Sequence, residues 1–256
     1  TNPAWDKAVI EYFEDRNLTI LKPQDPSFED SLRRKFNEIE LTGCNDPLIR
    51  YLAVRTRNDP HNPDPATIHS WVDASKKLEE SSYPTYLKFN AAMRAAQAIV
   101  SALRSQGIKT NTPLLREYRE LATRRLIELV QDASIPPEEI MNTAHVWINH
   151  SLKPADEFRT ATYEAAEPFL LQNWGDTAEA LTIKGAYYIQ YAWDARGNGW
   201  ANTVTPEGWR LMKERSDIAR EALEKAWQIK PHIETARSML WVEVGDSTGR
   251  AAMEKW

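Results

Sequence analysis

Apolar residues recur at helical spacing along almost the whole chain, as in Leu115, Tyr118, Ala122, Leu126 and Leu129, or Ile218, Ala219, Ala222, Leu223, Ala226 and Trp227. This spacing lays an apolar stripe along one side of a helix, and sustained period-two alternation, the mark of a half-buried strand, is absent. The fold is therefore expected to be all-α. The prolines agree, because capping residues precede them in Asn2-Pro3, Asp25-Pro26, Asp46-Pro47, Asp64-Pro65, Thr112-Pro113 and Thr205-Pro206. A cap oxygen accepts from an orphan first-turn amide, while proline, lacking an N–H, loses nothing at the first helical position. Gly107 and Gly175 read as stops, where a residue without a Cβ can turn left-handed.

These signals predict about twelve helices, at roughly 3–16, 26–40, 47–57, 65–79, 84–106, 113–132, 136–151, 155–173, 176–195, 206–229, 231–244 and 247–256. Short connections would make sequential neighbours antiparallel hairpins. Pro168 falls inside the eighth helix and is expected to kink or divide it. Asn90 to Leu103 is apolar on nearly every side, so that helix should be buried by several neighbours. No Gly/Ser linker breaks the composition, and residues 1–256 read as one domain, with a loop insertion at about 194–209.

Composition removes several function classes. The formal charge of -5 comes from 32 basic and 37 acidic side chains, and the longest basic run is Arg33-Arg34-Lys35. That run is too short to neutralise a row of phosphates, so nucleic acid is not an expected partner. No stretch approaches the roughly 18 apolar residues that span a bilayer. Cys44 is alone, which rules out an internal disulfide and any zinc site built on paired cysteines. A chain that begins at Thr1 fits either a removed export signal or a trimmed start. The first case would place it in the periplasm or the medium.

Near the end of the chain Ala219, Leu223, Ala226 and Pro231 are spaced by four, three and five residues. Upstream stand Leu181, Gly185 and Tyr188, and Ile229-Lys230-Pro231 leads into Glu234-Thr235-Ala236. This pattern resembles a tetratricopeptide unit and the step into the next one, interrupted by the insertion from Trp193-Asp194-Ala195-Arg196-Gly197-Asn198-Gly199-Trp200 to Thr205-Pro206-Glu207-Gly208-Trp209. The insertion, with Gly43-Cys44-Asn45-Asp46-Pro47-Leu48, resembles a bacterial family of tetratricopeptide-like domains of unknown function. The resemblance is specific around residues 178–256. It implies a right-handed stack of antiparallel helical hairpins, a tetratricopeptide-like α-solenoid, and carries no activity or catalytic residues.

Chemistry is sparse elsewhere. His145 and His150 are five apart, about 140° around a helix, and make poor joint metal ligands; His61, His69 and His232 show no better pattern. No metal and no cofactor is expected. Glu138 and Glu139 sit in a first helical turn, where negative charge complements the dipole. No Gly-x-Ser-x-Gly elbow or phosphate-binding glycine loop occurs, so catalysis is not the expected role. Cys44 is expected to be a small buried residue in a turn. The sequons Asn17-Leu18-Thr19 and Asn149-His150-Ser151 carry no meaning in a bacterial protein.

Aromatic residues at helical spacing usually pack in cores, but the two glycines of Arg196-Gly197-Asn198-Gly199-Trp200 make a loop that a helical hairpin does not need. Tyr187, Tyr188, Trp193, Asp194, Arg196 and Trp200 are the candidate ligand-binding residues. Trp200 is expected to pack under the loop, and Arg196 to pair with Asp194 or a neighbouring carboxylate. The expected function is a non-enzymatic helical-repeat module binding a protein or peptide. The rival is a carbohydrate-binding or carbohydrate-processing domain using the aromatic loop around Trp193 and Trp200.

Overall fold

A computed structural model describes residues 3–21, 26–57, 67–107, 112–149, 156–246 and 250–256, and these are helical without a strand. The twelve helices are α1 (Pro3–Leu21), α2 (Pro26–Leu41), α3 (Pro47–Arg57), α4 (Ile68–Glu79), α5 (Thr85–Ser105), α6 (Pro113–Gln131), α7 (Pro137–Asn149), α8 (Asp156–Trp174), α9 (Ala178–Arg196), α10 (Pro206–Ile229), α11 (Ile233–Asp246) and α12 (Arg250–Met253). The three expected cap-and-proline starts that are described follow the expected chemistry, whereas Thr67 and Pro84 before α4 and α5 make no side-chain cap hydrogen bond. Asp46 Oδ1 accepts from the amides of Leu48 and Ile49 at 2.9 and 3.1 Å. Thr112 Oγ1 accepts from Leu115 at 3.3 Å, and Thr205 Oγ1 from Gly208 at 3.0 Å. Asn2, Asp25 and Asp64 lie outside the described residues, as do His61 and His150. Gly107 and Gly175 take positive φ, as a helix stop requires.

The fourth helix starts at Ile68 rather than at 65, and three further features differ from expectation. The first helix runs on to Leu21, the last is only Arg250–Met253, and α8 passes undivided through Pro168. Pro168 is exposed, so its ring meets solvent rather than a packed neighbour.

The helices gather into two compact units, one ending at Ala122 and the other running from Thr123 to Trp256. The division falls within α6, so no break in composition marks it. In the first unit each helix from α1 to α5 packs on its neighbour in sequence. Tyr12 meets Phe36 with ring centroids 4.2 Å apart, and Trp71, Leu78 and Phe89 are fully buried. The alanines of α5 are buried on all sides, as its sequence requires. Cys44 is buried in the α2–α3 turn, where loss of solvent pushes its thiol up from its ordinary pKa.

The second unit is built around α9, on which α7, α8, α10 and α11 all pack. Residues on every side of α9 are buried, among them Leu181, Ile183, Ala186, Ile189 and Ala192. Small residues set the spacing against α10: a Cβ at Gly185 would stand 2.3 Å from Leu223 Cγ. Ala222 and Ala226 close on Leu181, while Ile189, Ala219, Leu223, Met239 and Val242 form the adjoining core. The hydroxyls of Thr182 and Thr235 share a 2.8 Å hydrogen bond, and Arg220 pairs with the buried Glu243 at 2.6 Å. No helix among the described residues is long and apolar enough to cross a membrane.

Candidate functional site

The insertion begins where α9 ends. Gly197 adopts φ 76°, and its amide donates to Trp193 O at 3.0 Å, so the chain leaves the helix through a left-handed residue. It then makes a single 3₁₀ turn at Ala201–Thr203 and enters α10 through the Thr205 cap. Both the amide and the hydroxyl of Thr203 donate to Trp200 O at 2.8 Å. The start of α10 lies close against the end of α9, since a Cβ at Gly208 would stand 2.9 Å from the Ala195 carbonyl.

Arg196 organises this loop. Its Nη1 donates to the carbonyls of Gly197 and Gly199, each at 3.1 Å. The guanidinium lies 5.5 Å from the ring centroids of both Trp193 and Trp209, a contact between a cation and two indoles. The expected ion pair with Asp194 is not formed. Asp194 instead pairs with Arg159 of α8, with side chains 6% and 3% exposed. The reason is helical geometry: residues two apart point about 200° apart, so Asp194 faces the core while Arg196 faces the loop. Arg159 Nε and Nη2, and Trp193 Nε1, are buried without hydrogen-bond partners.

The six candidate residues divide by burial. Tyr187 is core, 2% exposed, stacked on Tyr163 with ring centroids 3.8 Å apart and planes 4° from parallel. Its hydroxyl donates to Thr160 Oγ1 at 3.3 Å, and burial pushes its pKa up to about 12. Tyr188 is half-buried and meets Tyr163, Tyr187 and Tyr191 edge-on, its pKa likewise raised by burial. Trp193 packs partly buried against the α9–α11 core. Asp194 is buried and Arg196 half-buried, as above. Trp200 alone stands out, 84% exposed, against the expectation that it packs under the loop. With its carbonyl held by Thr203 and the preceding carbonyl by Arg196, the backbone is pinned while the indole faces water.

Two further indoles adjoin the site. Trp209, 40% exposed, closes the far side of Arg196, and Trp241, 50% exposed on α11, meets Trp193 edge-on at 5.8 Å. Trp241 was not legible as part of this group, because only the packing of α11 on α9 brings it there. Among the described residues no group of three His, Cys, Asp or Glu is placed to hold a metal ion. His145 Nε2 instead faces Glu234 Oε2 at 2.7 Å, tying α7 to α11. Compared with known proteins, the chain matches no family model, no curated protein and no solved structure.

Proposed function

We propose that the chain is a tetratricopeptide-like helical-repeat module that recognises a protein or peptide partner, with the loop between α9 and α10 contributing the contact. The observation that carries this reading is Trp200, a large indole 84% exposed on a backbone fixed by Arg196 and Thr203. A rigid exposed aromatic loses little conformational entropy on binding and offers a large area to a partner. The contacts of α9 support the repeat architecture. It packs most extensively on α10, its neighbour in sequence, and also on α7, α8 and α11, the many-sided burial that an inner helix of a stack would have. The close approach of Gly185 to Leu223 and the packing of Ala226 with Leu181 support the same reading.

Sugar stacking is the second reading, favoured by the exposed polar residues Asn198, Asn202 and Thr203 in the same loop as Trp200. One experiment separates the two. Wild type and Trp200→Ala are used as bait in a native lysate and run in parallel on a glycan array. The protein reading expects a captured protein that the variant loses and a blank array. Equal capture by both proteins, or glycan binding abolished by the substitution, overturns it.

A further inference from the structure

The first unit holds a cleft of about 470 Å³ between the α2–α3 turn, α3 and α4. Its volume falls within the range of about 300–1,000 Å³ typical of small-molecule sites. The space exists because Cys44, Ala53 and Ala74, which line it, are small and buried.

We infer that this cleft binds a small organic anion, a carboxylate or phosphate head on a compact apolar body. The charges around it decide the sign. Two carboxylates line the cleft and both are neutralised internally: Glu40 receives both arms of Arg57 at 2.7 and 2.8 Å, and Asp73 is held by Lys77 at 2.6 Å. Arg50, also lining the cleft, forms no ion pair among the described residues. Its charge reaches inward, since it favours the ionised forms of Glu40 and Cys44. Once the paired groups cancel, one permanent positive charge remains.

The opposite wall reinforces that sign. His69 and Ser70 line the cleft from the first turn of α4, at the positive end of its dipole, where a hydroxyl and an imidazole can donate to an anion. An anionic head would therefore meet the Arg50 fork on one side and the start of α4 on the other. Ala53, Val54 and Ala74 supply an apolar bed for the rest of the molecule. A guanidinium suits either head, because both present paired oxygens to its parallel N–H groups.

The test is calorimetric titration of the full chain with benzoate, phenyl phosphate and neutral benzyl alcohol. The site predicts saturable binding of at least one anion, benzoate marking a carboxylate site and phenyl phosphate a phosphate site, with benzyl alcohol about tenfold weaker or more. Arg50→Ala removes the unpaired cation and Ser70→Glu places a carboxylate in the cleft; each is expected to weaken binding by about tenfold or more. Both positions are exposed, and glutamate in a first helical turn suits the dipole, so the variants should melt with wild type. Failure of both anions to bind saturably, equal binding of benzyl alcohol, or unchanged affinity in either variant overturns the proposal.

Discussion

Asp194 and Arg196 stand two residues apart and answer to different demands. The buried pair of Asp194 with Arg159 holds α8 to α9, and removing the carboxylate would strand a guanidinium that already has buried N–H groups without partners. Asp194→Ala is therefore expected to cost about 3–5 kcal/mol, read by denaturant unfolding. A loss under about 1 kcal/mol would mean that solvent reaches Arg159. Trp200→Ala should do the opposite and leave the melting curve within error of wild type, since the ring is 84% exposed. Tyr187 gives a pH prediction. Its pKa is pushed from 10.0 to about 12 by burial, so above pH 10 the unfolded chain releases this proton before the folded chain does. The folded state then holds more protons, and Tyr187's contribution, intact below pH 10, is lost as pH rises from 10 to about 12. Phenolate absorbance against unfolding checks this: a Tyr187→Phe variant should lack one late-titrating phenol and lose less stability across that window.

Between elements, the contact of α9 with α10 is the most demanding. Gly185→Ala gains about 0.5–1 kcal/mol of helix propensity, but the added Cβ would lie 2.3 Å from Leu223 Cγ, a branch carbon that cannot swing away as a chain end can. Overpacking costs about 1–3 kcal/mol, so net destabilisation is expected. Ala226→Leu, at a fully buried position against Leu181, should cost a similar amount with no propensity gain to offset it. An unchanged melting temperature in both would reject the helix register. That Gly185 and Ala226 are contact positions was legible in the sequence, and so were the helix starts at Asp46, Thr112 and Thr205, because caps and small-residue spacing act over a few residues. The partners of Asp194 and Trp193 were not. Arg159 and Trp241 reach them only after α8 and α11 have packed on α9, and spacing along one helix carries no record of which neighbour its faces will meet.

Across the molecule, burial singles out α5 in the first unit and α9 in the second, each covered on all sides. Their amides are expected to be the slowest to exchange in hydrogen–deuterium measurements, with the Gly197–Val204 loop among the fastest. Faster exchange in α9 than in α10 would contradict its central place. The all-helical class followed directly from period and punctuation. The two compact units divide within α6, a continuous helix, where no change of composition marks the division. The loop bears on how such a chain changes over time. Its shape rests on Arg196, Gly197, Gly199 and Thr203, none of which depends on the Trp200 indole, and that indole is not needed by the helices beneath it. Selection can replace the side chain at position 200 without jeopardising folding, so new specificities can be sampled by single substitutions while the scaffold is inherited intact.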